Sequence, residues 1–357
     1  MLKGAWPPRI RYGQRAGRLF RATLWLDTLP RLQVEIFERV EEYRKILREH
    51  RTQRLISQMF VAILSVAIST VDSASALEPG SKLALQNLKS WGYQLQRLDV
   101  QRAARMPHDL LVIDYSKDGS GAGALTWSEL SQLKRKPDGT RRIVLAYLSI
   151  GEAEDYRYYW KSSWKKSAPP WLGSENKQWP GNFLTKYWMP EWQRIILSEQ
   201  EGYLSKIISS GFDGVFLDRV DAHSDWSGSQ NARKEMIDFV VKLSQRAKTR
   251  QSKFLVFVQN AEELLTDRQY LKHIDGVVKE DMLYGASHKF QLNPKSLRAS
   301  HINFLKIAWK QGKPVLVVEY LRAHTKKSSR AIREIRELNF TPSISQRELD
   351  DLFLPPK

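Results

Sequence analysis

The chain has 357 residues, 42% of them hydrophobic and 27% charged, an ordinary globular composition that excludes wholesale disorder. Lys and Arg number 57 against 39 Asp and Glu, a net charge of +18 that favours anionic surroundings. Cysteine is absent, which excludes disulfide frameworks, zinc ribbons, iron–sulfur sites and thiol nucleophiles but leaves the compartment open.

Residues 1–54 form a basic extension. Val34, Phe37, Val40 and Tyr43 fall on one helical face, so a solvated amphipathic helix is expected there, and the extension reads either as a cytoplasmic segment or as the result of a start codon placed too early. Leu55 to Val71 then runs 17 residues without a charge, behind Arg48, Arg51 and Arg54 and ahead of small residues at Ala74 and Ala76. Basic flank, apolar core and Ala-Ser-Ala site are the parts of a secretory signal cleaved after Ala76, which makes the protein secreted or periplasmic. The competing reading is a membrane anchor retained through 55–71, although at about 1.5 Å per residue such a run spans only ~25 Å of a core near 30 Å. Thirteen basic and seven acidic residues precede Leu77, so residues 77–357 keep a charge of +12.

That remainder predicts one α/β domain, a (β/α)8 TIM barrel. Eight β-rich runs recur with helical spacers: Tyr93–Leu98, Leu110–Tyr115, Ile143–Ser149, Val215–Val220, Phe254–Gln259, Asp275–Glu280, Val315–Tyr320 and Phe340–Ile344. Stretches such as LLVI, FLVFV and VLVV suit strands covered on both faces. From Pro190 a single helical stripe (Trp192, Ile195, Ile196, Tyr203, Leu204, Ile207, Ile208) is expected to end at Gly211 as a left-handed cap. A doubly wound open sheet has the same alternation, but the count of eight favours the barrel. So do polar residues at strand carboxyl ends: Asp99, Asp114, Ser149, Glu152, Asp218, Asn260, Glu280 and Glu319. In a barrel these converge on one mouth.

A carboxylate at the end of an apolar strand is costly unless it faces polar surroundings. The sharpest cases are Asp218 in GFDGVFLDRVD and Glu280 in DGVVKEDMLYG, each of which also admits a structural salt bridge. Asp213 and Asp275, each ahead of a Gly and a strand, read as turn residues. Two carboxylates facing across a mouth suit glycoside hydrolysis, with retention at a gap of ~5 Å and inversion at a wider one. Trp160, Trp164, Trp171, Trp179, Trp188 and Trp192 all fall between the third and fourth runs. Most are expected to pack a satellite core and one or two to line sugar subsites.

With these residues in place, YLSIGEAEDYRYYW (147–160), WPGNFLTKYW (179–188), GFDGVFLDRVD (211–221), QNAEEL (259–264) and DGVVKEDMLYG (275–285) together resemble glycoside hydrolase family 114. These are the endo-α-1,4-polygalactosaminidase-like barrels, in the branch once labelled cysteinyl-tRNA synthetase-related. The resemblance covers nearly all of residues 85–350. It implies an exported polysaccharide hydrolase that needs no cofactor, with Asp218 as nucleophile and Glu280 as acid/base. An acid/base role asks for a raised pKa at Glu280, which a negative neighbour favours and Lys279 and Arg219 oppose. The resemblance also implies a substrate cleft lined by Asp114, Glu152 and Asn260, to which Tyr147 and Glu319 are added. Lys279 stands before Glu280 and Arg219 after Asp218 where the family commonly has Asn. The +12 charge argues for an N-acetylated or anionic glycan over one with free amines.

No G-x-x-x-x-G-K loop, H-E-x-x-H pair or G-x-S-x-G elbow is present, so nucleotide, metal and nucleophilic-serine readings find no support. The positive charge is spread along the chain, and no nucleic-acid partner is expected. The alternative from another class is a non-catalytic carbohydrate-binding barrel of the cell envelope.

Overall fold

The computed structural model describes Leu85 and residues 88–355. The extension 1–54, the apolar run 55–71 and the Ala76–Leu77 junction lie outside the described residues. No helix among those described is long and apolar enough to cross a membrane.

Eight parallel strands form one sheet in the order β1 (Trp91–Gln94), β2 (Leu110–Ile113), β3 (Ile143–Ser149), β7 (Gly214–Asp218), β8 (Leu255–Gln259), β9 (Gly276–Glu280), β10 (Val315–Tyr320) and β11 (Thr341–Ser345). The intervening numbers belong to a small antiparallel sheet inserted after β3, in which β6 (Asn182–Thr185) lies between β4 (Glu152–Glu154) and β5 (Leu172–Glu175). Helices occupy the connections: α1 (Val100–Ala104), α2 (Trp127–Leu133), α3 (Pro190–Leu197), α4 (Tyr203–Ser210), α5 (Ala232–Arg250), α6 (Arg268–His273), α7 (Lys295–Lys310) and α8 (Lys326–Glu337).

The barrel closes between β11 and β1 through individual bonds rather than a ladder. Leu95 and Gln96 donate their N–H groups to Leu349 O at 2.8 and 3.0 Å, and Gln94 Nε2 donates to Asp350 O at 3.0 Å. Trp91 Nε1 donates to Thr341 O at 3.1 Å. This is the (β/α)8 architecture that eight β-rich runs imply.

Strand alternation sorts the core into two layers. Trp91, Tyr93, Leu110, Val112, Leu145, Tyr147, Phe216, Phe257, Val278, Leu316, Val318 and Tyr320 fill the barrel interior. Leu111, Ile113, Val144, Ala146, Leu148, Val215, Leu217, Val256, Val258, Val277 and Val317 face outward to the helices. Gly276 makes room for this filling, because a Cβ there would lie 2.2 Å from the Phe257 ring.

Two local expectations are corrected. The first strand stops at Gln94 rather than Leu98, since Arg97 turns left-handed (φ 53) and Asp99 is the N-cap of α1, accepting from Arg102 N at 3.0 Å. Asp99 therefore starts a helix and does not end a strand. The single helix expected after Pro190 is two, α3 and α4, broken over 198–202. Gly202 packs there so closely that a Cβ would meet Ser198 N and O at 2.5 Å. Gly211 does cap α4 in the left-handed region (φ 96).

Asp213 and Asp275 sit at the opposite end of the barrel from the strand-end acids and stitch neighbouring strands. Asp213 accepts from Val144 N at 2.9 Å, and Asp275 from Val256 N at 2.8 Å.

Candidate active site

At the carboxyl end of the barrel, three consecutive strands leave through left-handed residues that are not glycine: Arg219 (φ 58) after β7, Asn260 and Ala261 (φ 56 and 49) after β8, and Asp281 (φ 50) after β9. Such backbone costs about 1–3 kcal/mol per residue and persists where the surroundings over-determine it, most often at functional sites. The kinks end each strand abruptly and leave Asp218 and Glu280 as the last inward-facing side chains of β7 and β9, with β8 between them.

Both carboxylates are held at both oxygens. Asp218 Oδ2 accepts from the Tyr147 hydroxyl at 2.7 Å, and Oδ1 from Arg219 N at 2.7 Å. Glu280 Oε2 accepts from Asn260 Nδ2 at 3.2 Å, and Oε1 accepts the Tyr320 hydroxyl. Burial, and then the negative charge of Glu280, push the Asp218 carboxyl up to about 7; the Tyr147 hydrogen bond opposes the rise without cancelling it. Burial and that coupling together keep a proton on Asp218 to near neutral pH.

This shift has a consequence for stability. An unfolded Asp releases its proton near pH 4, whereas the folded Asp218 keeps it to about 7. Between those values the folded state binds the extra proton, so Asp218's contribution to stability falls as pH rises through that window. The Asp218→Asn variant should lack this slope. Thermal midpoints from pH 5 to pH 8 should decline more for the parent protein than for the variant. Parallel curves would show that Asp218 titrates normally.

Around the pair, Glu152 is 1% exposed and accepts from Asn176 Nδ2 at 2.8 Å and Asn182 Nδ2 at 3.4 Å, while Arg219 Nε lies 2.9 Å from it. Glu154, also buried, accepts from the Tyr156 hydroxyl at 2.5 Å and from Arg157 Nε at 2.6 Å. The cleft is lined by six carboxylates (Glu152, Glu154, Asp218, Asp221, Glu280 and Glu348) against two guanidinium groups (Arg219 and Arg347). Its local charge is therefore opposite to that of the chain as a whole. Arg347 closes one side, stacked 4.7 Å over the Tyr320 ring and paired with Asp281.

Asp218, Glu280, Tyr147, Glu152 and Asn260 all line this one cleft. Asp114 and Glu319 do not, and their expected cleft positions are corrected. Asp114 accepts from Arg157 Nη1 at 2.7 Å and from Ser116 N at 2.9 Å, buried behind the wall. Glu319 lies on the outward side of β10, wholly buried, accepting from Leu283 N at 2.7 Å and Tyr284 N at 3.0 Å; burial raises its pKa to about 8 despite those bonds. It anchors the segment that follows Glu280.

Sequence reasoning missed Tyr320, although the alternation Leu316, Val318, Tyr320 puts it inward and Glu319 outward. Glu154, Tyr156, Gln259 and Arg347 were missed as well. Of the six clustered Trp, Trp179 alone lines the cleft, 37% exposed beside Asn182. Trp160, Trp164, Trp171 and Trp192 instead form a continuous chain of ring contacts at 5.0–5.3 Å that runs into the outer core layer of the barrel, so the separate satellite core expected from sequence is corrected. Among the described residues no group of three or more His, Asp and Glu side chains could hold a metal ion.

The fold is shared with solved structures. The glycoside hydrolase domain of PelA from Pseudomonas aeruginosa matches with a TM-score of 0.57 at 18% identity, covering 74% of this chain and 97% of that one. Ega3 of Aspergillus fumigatus, solved with galactosamine, matches at 0.56 and 20%, covering 75% and 96%. Among sequence relatives, an uncharacterized protein of Methanocaldococcus jannaschii is 40% identical over 290 residues, 74% of this chain and 79% of that one. One of Deinococcus radiodurans is 35% identical over 283 residues, 77% and 86%. The model of glycoside-hydrolase family GH114 matches residues 70–356, nearly the whole of the described barrel. Barrel, paired strand-end carboxylates and this match lead to one conclusion: the chain belongs to glycoside-hydrolase family GH114 and is a glycan-cleaving hydrolase.

Proposed function

We propose that the protein is an exported, endo-acting glycosidase that cleaves an amino-sugar polysaccharide with Asp218 and Glu280 as its reacting carboxylates. The observation that carries this reading is the pair itself: two electrostatically coupled acids on β7 and β9, each oriented by a tyrosine hydroxyl, at the carboxyl end of a barrel. In the proposed retaining mechanism Asp218 attacks the anomeric carbon while Glu280 protonates the leaving oxygen, and Glu280 then takes a proton from the water that releases the glycosyl-enzyme. Trp179 offers a flat face for a pyranose at the rim.

The acidic lining supports a sugar carrying free amines, whose ammonium groups it attracts, in place of the anionic or N-acetylated glycan that overall charge suggests. The galactosamine bound to Ega3 agrees with that choice. A reducing-end assay on galactosaminan at graded deacetylation tests the reading. Turnover should rise with free amine content; turnover on acetylated polymer alone would reverse the substrate assignment, and binding without turnover would favour the carbohydrate-binding alternative.

One observation favours a second assignment of roles. The raised pKa falls on Asp218, the property of a proton donor, so that Glu280 would attack instead.

Export is supported by the Arg-flanked apolar run and the Ala74/Ala76 site. Amino-terminal sequencing of protein recovered outside the cytoplasm should begin at Leu77. An intact chain in the membrane fraction would establish the anchor, and an intact chain in the cytosol would sink both.

A further inference from the structure

Lys279 lies on β9 immediately before Glu280, but strand alternation sends its side chain through the outer face of the barrel wall, where it is 12% exposed. Its Nζ donates to Asn260 Oδ1 at 3.3 Å and lies 3.4 Å from Glu262 Oε2. The other Glu262 oxygen meets His301 Nδ1, which α7 brings to the same place. Burial acts to raise Glu262, but the His301 hydrogen bond and the Lys279 charge outweigh it and hold the carboxyl at about 2. Glu262 is therefore an anion throughout the neutral range and tethers the ammonium group.

The geometry of Asn260 gives this cluster a purpose. Its Oδ1 accepts both Lys279 Nζ and Glu280 N, the latter at 3.2 Å, which leaves Nδ2 to face Glu280 Oε2 at 3.2 Å. An amide turned the other way would set its NH2 group against an ammonium and an N–H, and its oxygen against a carboxylate. The left-handed backbone of Asn260 (φ 56) fixes where the amide starts; Lys279 and Glu280 N fix which way it points.

We infer that Lys279, tethered by Glu262 and His301, is a positioning residue that locks the Asn260 amide and thereby aims the Glu280 carboxyl group. The inference rests on Glu280 being one of the two reacting carboxylates. Lys279 does not itself line the cleft, so its loss should act on kcat through Asn260 and leave KM alone.

A double-mutant cycle with Lys279→Met and Asn260→Ala, assayed on partly deacetylated galactosaminan, tests this. Lys279→Met should lower kcat about 10- to 100-fold, as expected for slight misplacement of a reacting group, with KM within about twofold of the parent. In the Asn260→Ala background the same substitution should do nothing more. Lys279→Gln, which keeps an N–H donor, should recover part of the loss; it also replaces Met in the cycle should Lys279→Met fail to fold by circular dichroism. Parental kcat in the folded Lys279 variants, or losses that simply multiply in the double variant, would overturn the inference while Glu280→Gln is inactive. Full activity in Glu280→Gln would instead overturn the catalytic reading beneath it.

Discussion

Asp218→Asn and Glu280→Gln should each reduce kcat by about 10²- to 10⁴-fold or more, with the fold preserved. Each swap keeps the shape of the side chain and the hydrogen-bond partners on at least one oxygen, Tyr147 for Asp218 and Tyr320 for Glu280, while removing the charge or the proton that chemistry needs. Wild-type turnover in either variant would remove that residue from the catalytic pair. The two variants separate the roles through leaving-group dependence. A galactosaminide with a dinitrophenyl leaving group needs little protonation, so it should rescue the variant that lacks the acid and not the one that lacks the nucleophile. Rescue of Glu280→Gln supports Asp218 as nucleophile; rescue of Asp218→Asn supports the reversed roles.

The pH profile reports the pair and not either acid alone. Both assignments need a single proton shared between Asp218 and Glu280, so kcat/KM should be bell-shaped and should fall as pH passes upward through about 7, where that proton leaves. Proton NMR of the first-formed anomer then fixes the stereochemistry: a retained anomer requires the glycosyl-enzyme, and an inverted one excludes it.

The barrel was legible because β2, β3, β8 and β10 carry nearly continuous apolar runs, the pattern that suits strands buried on both faces. The same feature obscured the inner face from the outer one. In Val315–Tyr320 both faces are apolar, so hydropathy could not say that Tyr320 enters the cleft and Glu319 turns away from it. Asp218 and Glu280 stood out because a carboxylate closing an apolar strand has few inexpensive explanations. Arg157 and Glu154 did not, because they lie in the inserted segment after β3, where β4 is only three residues long, too short to show a period, and the density of aromatics drew the reading mainly to packing. Charge misled for a different reason: a sum over 281 residues says nothing of how six carboxylates are gathered around one cleft.

Arg157→Met should destabilise the protein by about 3–5 kcal/mol near neutral pH, the usual result of leaving buried charges without their partner. The Arg157 side chain is 0% exposed and lies between two carboxylates, with Nε 2.6 Å from Glu154 Oε2 and Nη1 2.7 Å from Asp114 Oδ1. Its guanidinium also stacks 4.8 Å over the Tyr156 ring and 5.6 Å over that of Tyr203, contacts that Met replaces only in part. Burial already pushes the Glu154 carboxyl upward, against the opposing pull of Arg157. Without the cation Glu154 should therefore take up a proton at still higher pH. The deficit should then shrink as pH falls and the stranded acids are neutralised, and adding Glu154→Gln and Asp114→Asn should return much of the stability. Urea denaturation of the single and triple variants at two pH values measures both effects. A single-variant loss under about 1 kcal/mol, the ordinary size for an exposed pair, would show that water reaches this cluster. Since Glu154 and Tyr156 form one wall of the cleft, the same substitution should also weaken substrate binding, linking the buried ion pairs to the site that they shape.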